Sequence, residues 1–179
     1  MGYHQVENAA TAYTALAEAR HQGIVISDEA LRSGFAHVVW PGRFEVLRRQ
    51  PPVVIDSAHN ADSALKLRLA LDDYFPGRPV VLLFGVSEDK DVRGIMTALL
   101  PRVQKVIATQ SIHPRAMAPE KIVTMVHQFG LSARSIVPIE NALEEALQAA
   151  GTEGVVVATG SLFVAAAARA VWMQRQPQS

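Results

Sequence analysis

The sequence predicts an α/β domain in which a mainly parallel sheet, with one antiparallel edge strand, is covered by helices on both faces and preceded by two further helices. Three observations predict it. Short β-favouring runs, Val53–Ile55, Val80–Phe84, Val103–Ala108 and Val155–Ala158, alternate with longer segments of helical periodicity. Most of these runs are apolar throughout, as strands buried on both faces are. Finally, Val53-Val54-Ile55 stops abruptly at Asp56-Ser57-Ala58-His59-Asn60. In open α/β sheets that strand end is where ligands bind.

Taken in order, Gln5 to His21 carries Val6, Ala9, Ala10, Tyr13, Leu16 and Ala17 three and four apart, an amphipathic helix closed by Gly23. Ser27 followed by Asp28 and Glu29 starts a second helix running to about Phe35. Trp40-Pro41-Gly42-Arg43 breaks the pattern and sets the expected boundary, giving segments 1–39 and 40–179. Phe44–Leu47 and Pro52–Asp56 read as strands joined by the hairpin-length Arg48–Pro51. Beyond them come a helix over Ala61–Tyr74, the strand Val80–Phe84, a helix from Val92 to Leu100 and the strand Val103–Ala108. A helix to about Phe129, a short strand over Ser135–Pro138, the helix Glu140–Ala150, the strand Val155–Ala158 and the helix Ser161–Arg175 complete the pattern, and a polar tail follows.

Composition removes several functions. The chain has 179 residues, 49% hydrophobic and 19% charged, within ordinary globular usage. Its formal net charge is zero, so the basic footprint of a nucleic-acid binder is missing. It has no cysteine, which excludes disulfides, thiolate metal sites and a Cys nucleophile. No apolar run approaches the roughly 18 residues that a membrane-spanning helix needs. A cytoplasmic protein with no membrane partner is the expectation.

If the crossovers are right-handed, the loops after Asp56, Phe84, Ala108 and Ala158 emerge at one sheet edge. They carry Asp56, Ser57, His59 and Asn60; Ser87 to Asp91; Thr109, Ser111, His113 and Arg115; and Thr159-Gly160-Ser161. An acid suited to ribose hydroxyls, cations suited to phosphate or carboxylate, and small residues at a helix start together form a nucleotide and substrate wall. Each member also has a plainer reading. Asp56 to Asn60 cap the next helix, Ser87 to Asp91 form a solvated charged loop, and Thr159-Gly160-Ser161 is an ordinary strand-to-helix turn.

Other schemes are absent. No Gly-x-x-x-x-Gly-Lys-Ser/Thr or Gly-x-Gly-x-x-Gly occurs, so this chain lacks a phosphate loop and the standard dinucleotide fingerprint of a nicotinamide-dependent oxidoreductase. No His-x-x-x-His or Gly-x-Ser-x-Gly occurs either. The chain is expected to hold half of a site at most.

Trp40-Pro41-Gly42-Arg43-Phe44-Glu45, Asp56-Ser57-Ala58-His59-Asn60, Asp89-Lys90-Asp91, His113-Pro114-Arg115-Ala116 and Thr159-Gly160-Ser161-Leu162, in this order, resemble the carboxyl-terminal domain of folylpolyglutamate synthase and dihydrofolate synthase, in the Mur ligase superfamily. His4-Gln5-x-x-Asn8-Ala9-Ala10 resembles the end of that family's central ATPase domain. The resemblance implies a Rossmann-like domain of an ATP-dependent amide ligase. In such enzymes ATP phosphorylates the carboxylate of a folate or dihydropteroate acceptor, and L-glutamate's amine displaces phosphate from the acyl phosphate.

By the same resemblance Asn8, Arg43, Asp56 and His59 contact the nucleotide, Arg43 at the phosphates and Asp56 at the ribose. Asn60 and Ser161 meet the incoming glutamate, and Lys90, Asp91 and Arg115 line the site. No residue here is assigned a catalytic role and no metal site is expected in this chain; ATP and Mg²⁺ belong to the full enzyme, with the phosphate loop outside this sequence. The isolated chain is expected to be an inactive carboxyl-terminal piece. Ser57 and Ala61 depart from the family's usual Gly and Pro. Another Mur-type amino-acid ligase domain and a non-catalytic Rossmann-like binding module are the alternatives.

Overall fold

The computed structural model describes residues 3–175, so the expected polar tail lies outside the described residues. The chain divides into two compact units, Met1–Pro41 and Gly42–Ser179. The first holds α1 (Tyr3–His21) and α2 (Asp28–Ala36). Ser27 caps α2, its side chain accepting from the Ala30 N–H at 3.0 Å, and Arg20 pairs with Asp28 at 2.7 Å. Leu31 is this unit's one buried apolar residue among those described; Val6 and Tyr13, placed on the apolar face of α1 by their spacing, are exposed.

The second unit is a six-stranded sheet of order β1-β2-β6-β3-β4-β5, with β1 Glu45–Arg49, β2 Pro52–Ile55, β3 Val80–Phe84, β4 Val103–Ala108, β5 Ser132–Ser135 and β6 Val155–Thr159. Every pair is parallel except β1 with β2. Along the central strands, successive residues point to opposite faces and build two cores. Val54, Leu82, Phe84, Val106 and Val157 pack beneath α3 (Ala61–Tyr74), α4 (Val92–Leu99) and α5 (Pro119–His127). Val53, Ile55, Val81, Leu83, Ile107 and Val156 pack beneath α6 (Ile139–Ala150) and α7 (Leu162–Arg175). Both layers are apolar because β2, β3 and β6 are wholly buried.

Two local expectations are corrected. The strand expected at Ser135–Pro138 lies earlier, at Ser132–Ser135. As the edge strand beside β4 it buries only Ala133, so its polar residues are tolerated, while the apolar Val137 that suggested a strand is half exposed in the following loop. Arg48 and Arg49 belong to β1 instead of the hairpin connection, opposite Val53 and Pro52. The Arg48 guanidinium lies 5.1 Å from the Trp172 ring centre on α7, which lets a cation sit in this strand.

Candidate functional site

All five parallel strands end at one edge, and the loops leaving β2, β3, β4 and β6 start there together. Their backbones touch. A Cβ added to Gly85 would lie 2.5 Å from the Thr109 carbonyl oxygen, and one added to Gly160 would lie 2.6 Å from the Gly85 oxygen. Gly160 also has φ of 107°, which side-chain-bearing residues rarely adopt. Gly85 was missed in the sequence because a lone glycine after a strand carries no distinguishing pattern. Thr109 is fully buried, and its hydroxyl has no partner among the described residues.

Asp56, at the end of β2, is nearly buried, with both carboxylate oxygens on backbone donors. Oδ2 accepts from the Phe44 N–H and Oδ1 from the Ala58 N–H, each at 2.8 Å. The Ser57 N–H in turn donates to the Gly42 carbonyl at 2.9 Å. These bonds hold the loop Gly42–Phe44 against the start of the β2–α3 turn. Arg43, between the bonded residues, is exposed and has no ion pair to another described residue.

The rest of the turn caps α3. Asn60 accepts from the Ser63 N–H at 2.8 Å while the Ser63 hydroxyl accepts from the Asn60 N–H at 3.2 Å, a reciprocal capping box. His59 is half buried, its Nδ1 3.0 Å from the Ser57 carbonyl. A carbonyl only accepts, so Nδ1 carries the proton and Nε2 is the ring's remaining hydrogen-bonding atom. Ser161 is buried and caps α7 by accepting from the Val164 N–H at 3.1 Å.

The β3–α4 and β4–α5 loops pair as a short antiparallel ribbon. Ser87 bridges Ala116, the Glu88 N–H donates to the Arg115 carbonyl at 2.9 Å, and the Met117 N–H donates to the Val86 carbonyl at 2.8 Å. Charges here neutralise one another: Lys90 lies 3.0 Å from Asp89, Arg115 3.9 Å from Asp89, and Lys121 3.0 Å from Glu88. The hydrogen bond from Lys90 is the main reason the exposed Asp89 carboxyl sits below its usual range. Asp91 caps α4 by accepting from the Gly94 N–H at 2.9 Å. Nearby, the His113 ring stacks on Phe163 at 4.1 Å over a groove of about 960 Å³ that also meets Ile112, Val137 and Gln174.

Asp56, Ser57, His59 and Asn60 thus share one turn with the Arg43 loop, whereas Lys90, Asp91 and Arg115 belong to the ribbon. Asn8 belongs to the first unit. It is exposed on α1, bonded to the Gln5 side chain at 3.3 Å, at the rim of an apolar groove of about 420 Å³ with Leu31, Phe35 and Trp40. Among the described residues no group of three or more His, Asp and Glu is arranged to hold a metal ion. Nor is any described helix long and apolar enough to cross a membrane.

The sheet order, with the polar turns collected at its carboxyl edge, defines the second unit as a Rossmann-like domain. A family model described as Mur ligase, glutamate ligase domain, matches residues 42–162, and the chain belongs to that family. A probable bifunctional folylpolyglutamate synthase/dihydropteroate synthase of Halobacterium salinarum is 35% identical over 96% of this chain and 20% of its own length.

Among solved structures, a folylpolyglutamate synthase of Mycobacterium tuberculosis complexed with ADP and AMPPCP superposes with a TM-score of 0.87 at 34% identity, covering 99% of this chain and 41% of that one. A bifunctional folylpolyglutamate synthase/dihydrofolate synthase with Mn, AMPPNP and L-glutamate bound superposes with a TM-score of 0.77 at 32% identity, covering 90% of this chain and 39% of that one. The chain therefore spans between a fifth and two fifths of the proteins it matches.

Proposed function

We propose that this chain is the carboxyl-terminal domain of a cytoplasmic, ATP-dependent ligase that adds L-glutamate to a folate or dihydropteroate acceptor, working with a phosphate-loop ATPase domain. Residues 1–39 are the helical end of that ATPase domain and 40–179 the glutamate ligase domain. The acceptor carboxylate takes the γ-phosphoryl group of ATP, releasing ADP. The glutamate amine then adds to the acyl carbon, and phosphate leaves as the amide forms.

Arg43 offers its guanidinium to the nucleotide phosphates, where a planar fork of donors offsets charge. Asp56 accepts from the ribose hydroxyls, and His59 presents Nε2 beside it. Asn8 contacts the adenine. Asn60 and Ser161 meet the glutamate, while Lys90, Asp91 and Arg115 line the approach. Mg²⁺ serves the full enzyme at the nucleotide phosphates.

The observation that carries this reading is the exposed Arg43, without an ion pair among the described residues, in a loop clamped at the carboxyl edge and within the segment matched by the glutamate ligase family. The test joins this chain to an ATPase domain of the same family and follows product with ATP, L-glutamate, and dihydropteroate or a reduced folate in separate reactions. Glutamylated product from the joined protein and none from the isolated chain is expected. A joined protein that binds ATP yet forms no amide overturns the proposal.

A further inference from the structure

We infer that Glu45 and Arg169 are positioning residues for Arg43, acting through the loop that carries it; the inference rests on the reading that Arg43 meets the nucleotide phosphates. The two residues flanking Arg43 are both held by carboxylates. The Gly42 N–H donates to Glu45 Oε2 at 2.8 Å, and the Phe44 N–H donates to Asp56 Oδ2 at 2.8 Å. Both also have positive φ, 74° at Gly42 and 46° at Phe44. For Phe44 this is a costly conformation that persists only where its surroundings over-determine it. Its ring supplies part of that constraint, packing 5.4 Å from Tyr74 and 6.3 Å from Phe75.

Glu45 is itself fixed. Arg169 Nε donates to both of its oxygens, at 3.0 and 2.9 Å, and the two side chains are 33% and 22% exposed. One turn further along α7, Trp172 lies under Arg48, so a single face of the helix grips both Glu45 and Arg48 of β1. The clamp consequently runs from α7 through Glu45 to the Gly42 N–H, and ends with the Arg43 side chain exposed. A charged acceptor makes such a bond about twice as strong as a neutral one, which is how a carboxylate here holds an exposed loop. Arg43 alone would leave most of its orienting entropy to be lost when a ligand binds.

The test compares Arg43→Ala, Glu45→Gln, Arg169→Gln and the double variant Arg43→Ala/Glu45→Gln in the ATPase-joined enzyme, reading KM for ATP, kcat and melting temperature. Glu45→Gln keeps the size of the side chain and removes its charge. Glu45→Gln and Arg169→Gln are each expected to raise the KM for ATP about tenfold, the factor that corresponds to one charge-assisted bond. The double variant is expected to be no worse than Arg43→Ala alone, because Glu45 acts only through Arg43. Arg169→Lys, which retains a cation, restores part of the loss.

If Arg43→Ala weakens ATP use while Glu45→Gln and Arg169→Gln leave its KM unchanged, or if the double variant is fully additive, positioning is overturned and the nucleotide reading stands. If Arg43→Ala itself changes nothing, the nucleotide reading falls. Independently of activity, nitrogen-15 NMR of the present chain is expected to show the Gly42 amide proton moving upfield in Glu45→Gln; a stationary Gly42 signal overturns the clamp.

Discussion

Two charged loops are anchored at the carboxyl edge of the same sheet, and they treat their charges in opposite ways. At Gly42–Phe44 the acids Glu45 and Asp56 bind backbone N–H groups, leaving Arg43 exposed with no pairing acid among the described residues. In the ribbon of Ser87–Asp91 and Arg115, the acids Asp89 and Glu88 face the cations Lys90, Arg115 and Lys121. An anion arriving at the first loop meets a guanidinium that need not break a bond; at the second it must displace a carboxylate from each cation. The number of cations in a loop is therefore a poor guide to anion binding. Where the acids point decides it.

The largest expected effect comes from removing the acid that organises the first loop. Asp56→Ala leaves the Phe44 and Ala58 N–H groups without their acceptor, at about 1–3 kcal/mol for each that remains buried. Thermal and urea unfolding are expected to register that loss together with a raised KM for ATP. Asp56→Asn, which keeps one acceptor oxygen, falls between the two. An Asp56→Ala protein of wild-type melting temperature would break the comparison, because its carboxylate would then not be holding the loop.

The next effect separates the loops directly. Arg43→Ala in the joined enzyme is expected to raise the KM for ATP by about tenfold or more, and Arg115→Ala by less than about threefold, since one exposed cation is unpaired and the other already faces an acid. Neither is expected to move stability beyond about 0.5 kcal/mol, as both are exposed side chains. Equal effects on ATP use from the two substitutions would show that internal pairing does not decide which cation serves.

Much of this edge was legible in the sequence, and the reason is local. An apolar run ending at Asp56 announces a strand terminus, and parallel strands bring such termini together. The capping reading of Asp56 to Asn60 was also legible, and the structure realises it without excluding the ligand roles: Asp56 accepts from Ala58 and Asn60 from Ser63. Glu45 and Arg169 carried no comparable signal. They are 124 residues apart, and an arginine within an Ala-rich helix has no pattern to mark its partner. The edge strand at Ser132–Ser135 was misplaced for a related reason, because one neighbour and a single buried residue do not demand an apolar run. Pairings across the fold are products of packing, whereas caps and strand ends are products of neighbouring residues.

Asn60 sharpens the comparison at a smaller scale, since it too directs its side chain to the backbone. Asn60→Ala removes the α3 cap and is expected to cost about 1 kcal/mol. Asn60→Ser retains an oxygen for the cap and recovers most of that stability. If Asn60 also meets glutamate, both variants raise the KM for glutamate while only the first lowers the melting temperature. A KM for glutamate unchanged in both leaves Asn60 as a cap alone and removes it from the substrate wall.

The smallest effect is the ribbon's response to acid. The Asp89 carboxyl is held below the ordinary aspartate range, chiefly by the hydrogen bond from Lys90. A carboxyl depressed in the folded state contributes stability that is present above its unfolded pKa and is lost as pH falls through the lower folded value. Lowering the pH from 7 to 5 therefore leaves the Asp89–Lys90 pair intact, and protonation releases Lys90 and Arg115 only below the ordinary aspartate range. Because Asp89 is exposed, solvent screens the pair and unfolding should barely record its loss. The side-chain carboxyl signal of Asp89, followed by carbon-13 NMR, should titrate at lower pH than in the Lys90→Ala variant. Coincident titrations in the two proteins would mean that the ribbon's charges are not paired in solution, and Lys90 would then be as available to an anion as Arg43.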